Sequence, residues 1–162
     1  MPFTPFHLGP GALFKALGGR KFSFMIFGGS QILMDVEPLV RIIRRDLVLH
    51  GMSHTVVGAF VVAAVAAGVG RPIGNLLLPQ LGIRDHAIGW AVAIVSALIG
   101  TYSHIALDAI MHRDMSPLWP VAHGNTLLSA RPVGTLHLLC AVSGLAGAAF
   151  IALRAWRDAR TA

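Results

Sequence analysis

Residues 52–70 read Met-Ser-His-Thr-Val-Val-Gly-Ala-Phe-Val-Val-Ala-Ala-Val-Ala-Ala-Gly-Val-Gly, with no Asp, Glu, Lys or Arg. Crossing the hydrocarbon core of a bilayer takes about 20 predominantly apolar residues in a helix. This run therefore reads as a membrane span. Two others match it, from Ala87 to about Ile110 and from about Gly134 to Leu153. The last ends in Arg154, Arg157 and Arg160 around Trp156, an interfacial anchor. Gly and other small residues recur in all three, which permits close helix–helix approach. The composition agrees: 12% of the 162 residues are charged, against roughly 25% in soluble domains, and mean hydropathy is +0.70. A conventional soluble enzyme, a disordered tail and a disulfide scaffold are excluded. Cys140 is the one cysteine, so neither an internal disulfide nor a cysteine-based zinc site can form.

The N-terminal third is less regular. Met1 to His7 has no basic residue and two prolines, unlike a secretory leader. Leu8 to Leu17 is apolar but short, and Gly18-Gly19-Arg20-Lys21 breaks it. Phe22 to Met34 is interrupted by Gly28-Gly29-Ser30-Gln31, and Leu39 to Leu49 carries Arg41, Arg44 and Arg45 and reads as interfacial. Residues 71–86 and 111–132 read as loops from their Pro and Gly. The expected fold is an all-α integral membrane bundle, one domain over 1–162. It has three transmembrane helices plus one or two short N-terminal re-entrant or half helices. The charge of +6 sits in Arg residues scattered among apolar runs, which suits anionic headgroups and lacks the basic face that nucleic acid requires. Arg residues divide evenly between the two sides, so the positive-inside rule does not orient the chain.

Eight His and seven acids in so apolar a chain need a reason, because a charge at bilayer depth costs at least about 2.5–3.5 kcal/mol. His50 and His54 stand four apart where the first span begins; His104 and Asp108 stand four apart near the end of the second, and His112 follows four later. A spacing of four places side chains on one helical face. Consecutive spans are antiparallel, so the two pairs meet on one side of the membrane at similar depth. Asp35 and Glu37 lead into that side, and His123 and His137 fall there too; His86 falls on the other. His7 joins them if the N-terminal segment folds back. Imidazoles and carboxylates without thiolates suit zinc, manganese or iron, and facing helices of a bundle are a known place for such ligands. The plainer alternatives are an Asp–His hydrogen bond between helices, and Asp35 and Glu37 answering Arg41, Arg44 and Arg45.

The ordered motifs resemble a family of small bacterial inner-membrane proteins described as membrane-bound metal-dependent hydrolases. The matching segments are Met1-Pro2-Phe3-Thr4-Pro5-Phe6-His7, Asp35-Val36-Glu37, His50 to Thr55, Ser103 to Asp108, and His112. The same order is similar to that of zinc-dependent phospholipase C enzymes, which are helical and cleave phosphodiesters at membranes. That resemblance implies His7, Asp35, His54, His104 and Asp108 as metal ligands, with His50 and His112 nearby. The phospholipase pattern continues with His-x-x-x-Glu, whereas here Ala141 stands four after His137, which implies one or two zinc ions in place of three.

Two functions are compatible with these readings. One is a multi-pass hydrolase of the bacterial inner membrane acting on a lipid-borne ester or phosphodiester, with Asp35, Glu37 or Asp108 handling the proton and residues 35–50 and 111–132 gating access. The other is a non-catalytic subunit of a larger membrane complex or homo-oligomer, with His54 or His104 bridging helices or ligating a haem or chlorophyll-type pigment. Membrane lipids are partners in either.

Overall fold

The computed structural model of the chain describes residues 5–83, 87–128 and 133–161. Among them the structure is all helical: α1 (Leu8–Gly18), α2 (Phe24–Arg44), α3 (Val56–Leu77), α4 (Trp90–Met111) and α5 (Val133–Thr161), with short 3-10 turns at Pro5–His7, Gly19–Lys21 and Met52–His54. Helices α3, α4 and α5 are long and apolar enough to cross a membrane, the architecture of a membrane protein. At 1.5 Å per residue α1 extends about 16 Å, half of a bilayer core of roughly 30 Å.

Two elements run further than their breakers suggest. Helix α2 continues through Gly28-Gly29 and Pro38 to Arg44, so much of 35–50 is helix and only its end is irregular. Its buried residues are Ile26, Phe27, Ser30, Gln31, Met34, Asp35 and Pro38, one stripe at helical period. Burying that stripe on α3 and α4 outweighs the roughly 1 kcal/mol that each helix glycine costs. Helix α3 likewise continues through Arg71-Pro72 to Leu77. The Arg71 guanidinium donates to the Ile88 carbonyl and lies 4.6 Å from the Trp90 ring, and the Asn75 amide bonds both the N–H and the C=O of Ile88. These bonds hold the last turns of α3 against the start of α4.

Helices α3 and α4 are antiparallel, since Asn75 meets Ile88 while the Tyr102 hydroxyl reaches the Val56 carbonyl at the other end. Helix α2 runs parallel to α4: the Ser23 N–H donates to Ser96 Oγ and the Gln31 amide to the Gly100 carbonyl. Ala93, Ser96, Ala97, Gly100, Thr101, His104, Ile105, Asp108 and Ala109 form the buried face of α4, spaced three and four apart throughout. His104 and Asp108 therefore continue the stripe of small residues that lets α2 and α3 approach.

Helix α5 lies along α1, and two glycines set that contact. A Cβ at Gly9 would strike the Cys140 carbonyl, and one at Gly147 would strike the backbone of Ala12 and Leu13. We expect Gly147→Leu to lower stability by about 1–3 kcal/mol through overpacking. Gly134→Leu, where a Cβ meets nothing within 4 Å, should leave the thermal unfolding midpoint in detergent unchanged.

Candidate metal centre

Five imidazoles surround one buried carboxylate. Asp108 Oδ1 lies 3.3 Å from His7 Nε2 and 3.8 Å from His112 Nε2. Its Oδ2 lies 3.2 Å from His104 Nε2, 3.5 Å from His54 Nε2 and 3.8 Å from His50 Nε2. Asp35 Oδ1 stands 3.5 Å from His104 Nε2. Only His112 is appreciably open, with its side chain 25% exposed; His54 and His104 are at 1% and 0%.

Each element contributes for a local reason. His104, Asp108 and His112 follow at intervals of four, two on the last turns of α4 and the third at its C-cap. There the Asn125 amide donates to the Ala109 and His112 carbonyls and fixes the helix end. Asp35 comes from the buried stripe of α2. His50 and His54 lie ahead of α3, in an irregular stretch and a 3-10 turn, because Thr55 caps α3 by accepting from the Gly58 N–H. Their pairing is thus made by a turn, not by one face of a helix as the spacing suggested. His7 closes the turn before α1, which brings the N-terminal segment back onto the site as the sequence reading required.

The outer ring nitrogens are fixed by hydrogen bonds. Gln31 Nε2 donates to the Gly100 carbonyl, which turns its Oε1 to accept from His104 Nδ1 at 2.6 Å. His50 Nδ1 donates to Asp114 Oδ1 at 2.9 Å. Ser53 Oγ donates to Glu37 Oε2 at 2.5 Å and therefore accepts from His54 Nδ1 at 2.9 Å. In each ring the proton sits on Nδ1 and the Nε2 lone pair faces inward.

Acceptor therefore faces acceptor. His54 Nε2, His104 Nε2 and both nitrogens of His7 are buried without a hydrogen-bond partner, and such a group costs about 1–3 kcal/mol if nothing answers it. Protonating the rings would crowd several positive charges together. A divalent cation would answer the inward nitrogens of His54 and His104 together. Ligand atoms each 2.0–2.2 Å from a tetrahedral zinc stand about 3.3–3.6 Å apart. The inner contacts of 3.2–3.8 Å bracket that spacing, while the outer ones at 2.6–2.9 Å are ordinary hydrogen bonds.

Two donor sets share Asp108: Asp35, His54, His104 and Asp108, and His50, Asp108 and His112, each with its atoms within 4.8 Å of one another. His7 belongs to neither set, although its ring lies 4.5 Å from that of His104. Glu37 does not reach the centre. Its oxygens are taken by Arg41, the Met52 and Ser53 N–H groups and the Ser53 hydroxyl. His123 is exposed, His137 stacks on Phe6, and His86 lies outside the described residues.

Electrostatics outside the spans suit ligands. Burial holds the His54 and His112 imidazoles below their ordinary pKa despite the nearby Asp108, which favours the neutral, coordinating form. Burial raises the Asp114 carboxyl, but the Leu49 N–H and the His50 ring outweigh it and hold it at about 2. Glu37 is likewise raised by burial yet held below the usual carboxylate range by Ser53 and Arg41. The sequence reading passed over Gln31, Ser53 and Asp114, the three groups that orient the rings.

The chain matches no protein-family model, no curated protein and no solved structure among those compared. Outer partners of metal-binding histidines are worth roughly 10–100-fold in metal affinity. Asp114→Asn and Ser53→Ala should each weaken retention of an added divalent metal by that amount in competition with a chelator, with helical content unchanged.

Proposed function

We propose that the protein is a membrane-embedded, metal-dependent hydrolase that acts on a lipid-borne ester or phosphodiester. The observation that carries this reading is the convergence of fixed Nε2 lone pairs on the Asp108 carboxylate at ligand spacing. The two donor sets differ in a way that suits catalysis. Structural zinc sites are closed by four protein ligands, whereas catalytic ones use three and keep a position open. Asp35, His54, His104 and Asp108 make a buried set of four. His50, Asp108 and His112 make a set of three whose His112 is partly exposed. Asp108 belongs to both sets.

In this assignment Asp35, His50, His54, His104, Asp108 and His112 hold one or two zinc ions. Bound zinc would supply Lewis acidity and lower the pKa of water to about 7. His50 and His112 orient the open position, and Asp114 keeps His50 in the right tautomer. Glu37 is a positioning residue acting on His54 through Ser53. His7 is the imidazole whose nitrogens no hydrogen bond has committed. It accepts the proton of the attacking water at Nε2 and returns it to the leaving alkoxide as the ester oxygen bond breaks. The site sits at the end of α4 and the start of α3, where a span meets headgroups, and the partly exposed His112 would be its side toward a lipid ester. The resemblance to bacterial inner-membrane hydrolases supports the same reaction class and location.

The test is hydrolysis of phosphatidylcholine and of a phosphodiester headgroup analogue in mixed micelles by the zinc-loaded full chain. Asp108→Asn should abolish turnover and zinc binding together. His7→Gln should cut turnover about 100-fold or more while zinc stays bound, in line with the 10²–10⁴-fold worth of a general base. Turnover that survives Asp108→Asn would overturn the proposal.

A further inference from the structure

A second site lies at the opposite end of α2. The N–H of Ser23, just ahead of that helix, bonds Ser96, six residues into α4 and about 9 Å from the Trp90 level. Asp35, twelve residues further along α2, is about 18 Å away. Beside this end a cavity of about 990 Å³ opens between the α1–α2 turn, the face of α2, and the described residues that follow α3 and precede α4, from Leu78 to Ile83 and at Ala87 and Ile88. That is the upper end of the roughly 300–1,000 Å³ of ligand sites.

Its walls are apolar and its cations are grouped. Met25, Ile32, Leu78 and Ile88 line it, and Lys15 and Arg20 are its charged residues, with no acid among the described lining residues. The Lys15 ammonium donates to the Gly19 and Phe22 carbonyls at 2.8 and 2.9 Å. An ammonium has three donors, so one is left for a ligand. Lys15 is half-buried and Arg20 is exposed, the setting in which basic side chains meet anionic headgroups at a membrane surface. Gly28 and Gly29 form part of the α2 wall. A Cβ at Gly29 would meet nothing within 4 Å, so helix packing does not require that glycine; its effect is to keep the wall open.

We propose that this groove holds an anionic phospholipid, its phosphate at Lys15 and Arg20 and its acyl chains along Gly28, Gly29 and Ile32. The charge pair selects the headgroup and the apolar walls take the chains. The proposal does not depend on the His–Asp centre being catalytic.

Native mass spectrometry of the detergent-purified full chain tests it, with phosphatidylglycerol and phosphatidylcholine of identical chains as probes. The wild type should retain phosphatidylglycerol about tenfold more tightly. Arg20→Gln should reduce that preference severalfold, and Gly29→Leu should weaken retention of both lipids. Gly29→Ala, which adds one methyl to open space, should keep both the fold, followed by circular dichroism, and the lipid. Equal retention of the two lipids by the wild type would overturn the headgroup assignment. Undiminished binding by folded Gly29→Leu would overturn the groove. Displacement of the lipid by millimolar glycerol phosphate would reduce the site to one for phosphate alone.

Discussion

The buried carboxylate of Asp108 is the constraint around which the site is organised. A carboxylate inside a bilayer-spanning bundle needs a positive partner, and the groups turned toward it are the Nε2 atoms of five imidazoles. Three of these rings are fixed by Gln31, Asp114 and the Ser53–Glu37 pair. The site is therefore a set of acceptors that only a cation or excess protons can reconcile. Holding it together in the absence of either costs free energy, and the helix packing has to supply that.

The helices supply it through small residues. The α4 stripe is Ala, Ser, Gly and Thr before it becomes His104 and Asp108. Close approach lower in the membrane thus places α2 beside α4 at the height where Asp35 meets His104. Below the centre the contacts are apolar, with Ile26, Ala63, Ala66, Ala67, Ala93 and Ala97 in one cluster. Above it the stretch 112–125 carries Asp114, which bonds His50, and Asn125, which bonds the end of α4. A second apolar cluster of Met34, Ala59, Ile105, Ala109 and Met115 packs at the height of the centre itself.

Much of this was legible in the residues. Three apolar runs gave the spans, and spacings of four with antiparallel connection put His50, His54, His104, Asp108 and His112 at one depth. Two kinds of feature were not legible. Gly28-Gly29 read as a break because local propensity carries no information about the tertiary burial that keeps α2 continuous. Gln31 and Asp114 were passed over because they bond rings on elements distant in sequence, and Ser53 because its role depends on Glu37 of α2. Such contacts leave no periodic signal. Gln31 does stand out as an amide on an otherwise apolar face, which marks it once α2 is known to be one helix. Glu37 read as a candidate for proton handling on its proximity to Asp35 in sequence. A helix turns 100° per residue, so two positions on it point apart, and Glu37 faces Ser53 while Asp35 faces His104.

X-ray absorption at the zinc edge of the zinc-loaded, detergent-purified protein tests the central claim most directly. The account predicts a first shell of nitrogen and oxygen at about 2.0–2.1 Å, with the outer-shell scattering of two or more imidazoles per ion and no sulfur. A six-oxygen hydration shell, or failure to retain zinc through a desalting column, would contradict it.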